Sequence, residues 1–436
     1  MLPHRYTFEL PTTDSKLFRA KALTWANTFA FACYLDSNGH PASRFDAVLA
    51  VGEIGFEADL GTDDVLKGIN DKLCSKWHFG FLSYELKNSI ERLSSQHPDT
   101  IAFPLYHFFE PKYIVEWTAA GIVIYSYDEE TSQKVLKSIL ATDILPNKTT
   151  KATVLANLTA DKYNTLIENI QQHISNGDVY ELNFCQAFFA QTLQLNPVEA
   201  FLSLNEQTRS PFAAYYKHLE KHVLCASPER FLLREGARIV SQPIKGTIKR
   251  GETLEEDEVL RNTLAASLKD RAENVMIVDL VRNDLTRICE IGSVKVSELF
   301  GLYPFRQVWQ MISSIEGRLR HNIGFDDILR ATFPMGSMTG APKIMAMELI
   351  EKYETTRRGI YSGSIGYVTP DGDFDFNVVI RTLLYDAAQH RAAFEVGGAI
   401  VYDSTPESEY EECLLKAKAI LELLHTDANS ITYDGN

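Results

Sequence analysis

The sequence predicts an α+β fold, because strand hairpins and long helices alternate irregularly along it instead of following a regular βαβ series. GSIGYVT (363–369) and VVIRTLLYD (378–386) read as strands, and Pro370-Asp371-Gly372 between them is a turn signal that predicts a hairpin. RAAFEVGGAIVYD (391–403) reads as a further strand with Gly397-Gly398 inside it. Helical patterns flank this block: KIMAMELIEKYE (343–354) follows Gly340-Ala341-Pro342, and ESEYEECLLKAKAILELLH (407–425) follows Pro406, a residue suited to a first helical position.

Earlier in the chain, FAFACYL (29–35), WHFGFLSY (77–84) and KYIVEWTAAGIVIYSY (112–127) read as strands with helices between. The Thr/Asn/Lys-rich stretch 140–164 is the clearest seam, and it divides an N-terminal region (1–150) from a second region (151–430). Just after it, Tyr163, Leu166, Ile167, Ile170 and Ile174 recur at helical spacing, with Thr159 placed to cap the start and Gly177 at the end.

Composition narrows the function classes. The 436 residues are 45% hydrophobic and 23% charged, a soluble globular profile with material for a large core. Formal charge is −15, so the counterion release that drives nucleic-acid binding is missing and DNA or RNA is disfavoured as a partner. Cysteines at 33, 74, 185, 225, 289 and 413 form no CxxC pair and read as free thiols in a reducing cytoplasm. No run of ~18 apolar residues and no apolar signal core is present, which predicts a chain inside the cell and off the membrane. HExxH, GxSxG and a strand-following GxGxxG are all absent.

Several residues could carry chemistry. Glu409 and Glu412 lie three apart on one helix face, and Glu273 lies in another helical stretch. They are either part of a solvated acidic face or ligands to a hard divalent ion such as magnesium. Lys245, between Ile244 and Gly246, is either an exposed loop lysine or an amine that an apolar setting deprotonates for nucleophilic attack. Glu229 in CASPERFLL is either ion-paired to Arg230 or Arg234, or a buried acid with a raised pKa. GSMTGAPK (336–343) is a glycine-rich turn into a helix, whose start could bind a carboxylate. Arg381 on a strand needs either a core acid or an anionic ligand. Gly397-Gly398 marks a bulge or a close backbone approach.

Read together, these segments resemble the chorismate-utilising enzymes. The resemblance runs in family order through GDVYELNFCQ (177–186), SPERFLL (227–233), PIKGT (243–247), AENVMIVDLVRNDL (272–285), FPMGSMTGAPK (333–343), RRGIYSGSIGY (357–367), IRT (380–382), GGAIVYDS (397–404) and ESEYEECLLKA (407–417). It implies two central β-sheets packed together with helices outside and an active site in the cleft. It further implies a Mg2+ ion at Glu273 and Glu412 with Glu409 close by, and substrate contacts from Thr339, Gly340, Tyr361, Arg381, Gly397 and Gly398, with Lys343 as a charge neighbour. The lysine of PIKGT is similar to that of members that make aminodeoxychorismate, where anthranilate-forming members usually read PIAGT. The implied reaction converts chorismate and ammonia, supplied by a glutamine amidotransferase subunit, to 4-amino-4-deoxychorismate on the route to para-aminobenzoate and folate. Lys245 would attack C2 and Glu229 would protonate the departing 4-hydroxyl.

Two positions depart from the family pattern: Glu181 stands where amino-transferring members usually carry Gln, and Gln310 where many carry His. Competing expectations are an anthranilate-forming enzyme, a chorismate-binding subunit without turnover, and an acidic interaction protein. CYLDSNGH (33–40) matches the tryptophan-binding stretch of relatives poorly, so the resemblance does not support feedback by tryptophan and leaves structural tryptophan binding open.

Overall fold

A computed structural model describes residues 4–8, 15–41, 43–58, 65–66, 69–73, 75–126, 128–144, 152–191 and 193–433. Cys74 and residues 145–151 of the seam lie outside the described residues. Among the described residues the larger of two sheets has 13 strands and the smaller has 10. Side by side in the larger sheet lie Phe31–Asp36, Phe212–His218, Lys221–Ser227, Thr382–Asp386, Arg391–Ile400 and Glu181–Ala190. The smaller sheet runs from Ile244–Lys249 through Val308–Arg318, Arg238–Gln242, Arg230–Glu235, Phe374–Asn377, Ser364–Val368, His78–Leu82 and Tyr106–Phe109 to Gly55–Ala58.

Residue alternation sets the layers. In the strand Ala47–Gly52, Val48 and Ala50 enter a core shared with Phe79, Phe81, Phe109 and Ile365 of the smaller sheet, and this core joins the sheets face to face. Ala47, Leu49 and Val51 point the other way, into a core with Leu23 of the Ser15–Ala26 helix, Ile167 and Ile170 of Ala160–Ser175, and Ala417 and Ile420 of Pro406–Leu423. The outer face of the smaller sheet, with Phe108, Phe231 and Leu232, is covered by Ile277 and Leu285 of Leu268–Thr286 and Ile328 of Phe325–Thr332. Each large apolar side chain so buried contributes roughly 1.5–3 kcal/mol before conformational entropy is charged against it. The expected arrangement of two packed sheets with outer helices is therefore what the chain adopts.

Strands from both sides of the 140–164 seam are hydrogen-bonded neighbours in both sheets. Phe31–Asp36 pairs with Phe212–His218, and His78–Leu82 pairs with Ser364–Val368. Thr159 caps its helix by accepting from the Lys162 amide at 3.2 Å, and Pro406 does open the last long helix.

Two local expectations are corrected. Ser364–Val368 pairs across the Pro370–Gly372 turn with Phe374–Asn377, not with 378–386. The segment after Asn377 crosses to the larger sheet, where Thr382–Asp386 pairs with Lys221–Ser227. Arg381 thus lies on the crossing with a left-handed φ of 53°, not on a strand. The apolar run VVI hides this crossing, because Val378 and Val379 are fully buried and carry no alternation. The glycine pair makes no bulge: Gly397 and Gly398 face Cys185 and Phe184 in unbroken register. A Cβ at 397 would lie 2.0 Å from the Phe184 carbonyl, so close backbone approach is the reason for glycine there.

Candidate active site

The site is assembled from the helices Leu268–Thr286 and Pro406–Leu423, the turn at 336–340 and strands of both sheets. On Leu268–Thr286 the buried stripe Ile277, Val281, Leu285 continues one turn back to Glu273 and Asn274, so packing of that helix also turns Glu273 inward. Asn274 receives a 2.5 Å hydrogen bond from Ser313, which ties the helix to the strand Val308–Arg318. The Ile244–Lys249 strand has irregular register against the same strand between Ile244 and Thr247, and Gly246 takes a φ of +96° there. That irregularity presents Lys245, which is 8% exposed, to the interior.

Lys245 does not sit in the apolar surroundings its sequence neighbours suggested. Its ammonium hydrogen-bonds the Glu181 carboxylate, and Glu273 and Glu229 add their charges. Burial pulls its pKa down, yet the three carboxylates outweigh burial and leave it above the ordinary lysine value. The resting amine is therefore a held cation. The sequence missed this because all three acids come from segments far from PIKGT.

Glu229 resolves the other way. Arg230 is claimed by Asp375 at 2.9 Å and Arg234 donates to the Gly236 carbonyl, so neither pairs with it. Glu229 is buried and accepts from the Ser337 hydroxyl at 2.6 Å. Burial pushes its carboxyl up to about 7, against the pull of Ser337 and Lys245. Burial likewise pushes Glu273 up to about 7, opposed by Lys245 and reinforced by Glu181. Glu273 Oε1, Glu181 Oε2 and Gln310 Oε1 are buried acceptors without hydrogen-bond partners. Such groups are uncommon in folded proteins, and each calls for an explanation.

The carboxylates of two helices meet around Lys269, whose ammonium lies 3.9 Å from Glu273 Oε1 and 3.9 Å from Glu409 Oε1. Glu409 is buried and accepts from Ser404 at 2.7 Å. Glu412 is more exposed and pairs with Lys416 at 2.6 Å, which holds its carboxyl below the ordinary value. Gly398 faces this group: a Cβ there would lie 3.2 Å from Glu409 Oε2 and 3.8 Å from Glu412 Oε1. The Glu273 oxygen left without a hydrogen bond and the all-oxygen donor set fit a hard divalent cation.

Arg381 lines an adjoining cavity with Pro228, Gln310 and Lys416, and Lys416 links that cavity to Glu412. Among the described residues no carboxylate lies within ion-pair distance of it. Burial lowers its pKa, while Tyr361 and Glu412 raise it. Tyr361 is buried with its hydroxyl 3.6 Å from Cys185 Sγ. Thr339 is fully buried and spends its hydroxyl on the Met335 and Gly336 carbonyls at 3.2 and 3.3 Å. Gly340 pairs with Leu182 at a φ of +145°, where a Cβ would lie 2.1 Å from the Glu181 carbonyl. Lys343 is engaged elsewhere: Asp284 binds its ammonium at 2.5 Å and the Thr332 carbonyl at 3.3 Å. Ser337, Lys269, Ser404, Lys416 and Asn274 were not foreseen. Lys416, four residues after Glu412, and Lys269, four before Glu273, are the partners that helix spacing could have named.

Fold and cleft together define a two-sheet α+β protein that gathers a buried acid, a held amine and a cation-ready carboxylate set in one place. Residues 32–422 match the model of the chorismate binding enzyme family, and the chain belongs to that family. It is 35% identical over 362 residues to aminodeoxychorismate synthase component 1 of Bacillus subtilis (strain 168), covering 79% of this chain and 76% of that protein. It is 37% identical over 349 residues to the protein of the same description from Klebsiella aerogenes, covering 80% and 77%. Among solved structures, anthranilate synthase component I from Streptococcus pneumoniae TIGR4 superposes with a TM-score of 0.77 at 28% identity, over 87% of this chain and 92% of that one.

Proposed function

We infer that the chain is the chorismate-aminating component that forms 4-amino-4-deoxychorismate, on the route to para-aminobenzoate and folate. The observation that carries this reading is a buried lysine, Lys245, held by Glu181 and flanked by Glu229 and Glu273. The aminodeoxychorismate synthase relatives support it. An amine in that position serves a substitution at C4, whereas anthranilate formation places nitrogen at C2.

Glu181, in direct contact with Lys245, takes its proton as substrate enters and frees the amine. Lys245 then bonds to C2, the two ring double bonds shift, and the C4–O bond breaks. Glu229, protonated below about pH 7, delivers its proton to the departing oxygen, which leaves as water. Ammonia bonds to C4, the double bonds shift back, and the C2–N bond to Lys245 breaks. Arg381 and the backbone at Gly397 and Gly398 suit the enolpyruvyl carboxylate, with Tyr361 beside them and the Thr339-Gly340 turn facing the ring. Glu273 and Glu412, with Glu409 alongside, would hold a magnesium ion, which supplies neutralisation of the ring carboxylate.

Ammonia would come from a separate glutamine amidotransferase. The five described cysteines are free and buried, which supports a reducing, cytoplasmic setting. No helix among the described residues is long and apolar enough to cross a membrane. The test is incubation with chorismate, magnesium and an ammonium salt. The expected product releases para-aminobenzoate when the corresponding lyase is added. Anthranilate as the main product would overturn the role of Lys245.

A further inference from the structure

A second polar cluster lies in the core between the sheets, built from groups the proposed reaction does not use. Glu57 sits on Gly55–Ala58, the terminal strand of the smaller sheet, directly opposite His107 of Tyr106–Phe109. Directly opposed residues share a face, so both side chains point toward the larger sheet. His218 ends the strand Phe212–His218 of that larger sheet, two residues after Tyr216, and so on the same face as Tyr216. One ligating atom from each of Glu57, His107 and His218 lies within 4.8 Å of the others.

We propose that Glu57, His107 and His218 form a site for one divalent transition-metal ion, with zinc the ion whose chemistry fits, clamping the edge of the smaller sheet to the larger.

A simpler account makes His218 and Glu57 an ordinary pair, since Nε2 and Oε2 are 2.8 Å apart, and makes His107 a core histidine. That account leaves one atom unexplained. His107 is 1% exposed, its Nδ1 is bonded to the Tyr216 hydroxyl at 2.7 Å, and its Nε2 is buried without a hydrogen-bond partner. A buried unpaired ring nitrogen is destabilising, and a metal ion gives it a partner. The Tyr216 contact is the kind that fixes the tautomer and orientation of a metal-binding histidine through its other nitrogen. Residue 55 is glycine, and a Cβ there would lie 2.2 Å from His107 Nε2, so the nitrogen's approach depends on the missing side chain.

Two imidazole nitrogens and one carboxylate oxygen are a zinc donor set with a fourth position open to water. Magnesium prefers oxygen ligands, so this site differs in kind from the all-carboxylate group at Glu273, Glu409 and Glu412. Phe31 packs 4.3 Å from the His107 ring and 5.5 Å from the His218 ring, which gives the site an apolar wall. The Glu57 side chain is 45% exposed, which gives the ion its way in from solvent.

The test uses the full chain, stripped with a chelator and then saturated with magnesium so that the cleft carboxylates are occupied. Zinc is titrated against a chromogenic competitor, and cobalt absorption reports coordination geometry. One equivalent of zinc should bind, with tetrahedral cobalt bands and a raised thermal midpoint. Glu57→Gln, on an exposed edge and harmless to packing, should weaken zinc at least tenfold and remove the cobalt bands without changing chorismate amination. His218→Gln should do the same for zinc. No zinc bound by the unaltered chain, or equal zinc affinity in Glu57→Gln, would overturn the site. Zinc lost from Glu273→Gln but kept in Glu57→Gln would overturn it too, by assigning the ion to the cleft.

Discussion

The chain buries two ionic clusters close together in the fold, and they are built to opposite specifications. In one, Arg358 uses all five guanidinium N–H groups. It donates to Glu354 at 2.6 and 2.9 Å, to the Met338 carbonyl at 2.6 Å, to the Asn183 carbonyl at 2.9 Å and to Ser362 at 3.3 Å. Glu354 in turn accepts from the Cys185 amide at 2.9 Å. In the other, Lys245, Glu181, Glu229 and Glu273 are equally buried, but Glu181 Oε2 and Glu273 Oε1 have no hydrogen-bond partner and two carboxyls are pushed up to about 7. Burial of charge is common to both, so burial alone does not mark chemistry. Unsatisfied acceptors beside a held amine and two raised carboxyls do, because groups so placed are free to meet a substrate or an ion.

Lys245→Met is the most direct way to break this comparison. Activity per folded molecule should fall on the order of a thousandfold or more, since loss of a catalytic nucleophile removes the reaction path itself, and Glu181, left without its ion partner, should lower the thermal midpoint as well. Steady-state amination with ammonium salt and a melting curve decide it, and retained activity would put Lys245 in the structural class. Arg358→Leu should lower stability while leaving the activity of each folded molecule largely in place. Removing one member of a satisfied buried pair costs about 3–5 kcal/mol, read as a lower midpoint in urea unfolding.

Glu229→Gln sharpens the contrast through pH. The Glu229 carboxyl is raised to about 7 by burial, so it is protonated below that pH and the general acid is lost as pH rises through about 7. Glutamine should lower kcat roughly a hundredfold or more and erase that falling limb. The raised value also means that Glu229 favours folding at pH below the ordinary carboxyl range, and that this contribution fades as pH climbs to about 7. An unchanged pH profile in the variant would assign the limb to another group. The smallest effect belongs to Lys269, half-exposed between Glu273 and Glu409. Lys269→Ala should shift stability by less than about 1 kcal/mol and tighten magnesium by up to about fivefold, measured by calorimetry.

What the sequence disclosed and what it hid follow from the range of the interactions. Helix ends were legible because Thr159 and Pro406 act on their own first turns. Glu273, Glu409 and Glu412 could be nominated from spacing and family likeness, and the fold brings their helices to one lysine. The protonation of Lys245 could not be read, because it depends on Glu181, Glu229 and Glu273, which lie 16 to 64 residues away. The hairpin at 364–377 was assigned the wrong second strand because a run buried on both faces has no alternation to read.

The order of strands in the larger sheet also bears on how the molecule is made. Thr382–Asp386 and Arg391–Ile400 stand between Lys221–Ser227 and Glu181–Ala190, yet they leave the ribosome after both. During vectorial synthesis the central gap stays open until residue 400 has emerged, and open strand edges recruit other chains. Slow closure of such long-range pairings leaves those edges exposed after Lys221–Ser227 and Glu181–Ala190 have formed, which favours folding conditions that keep nascent chains apart.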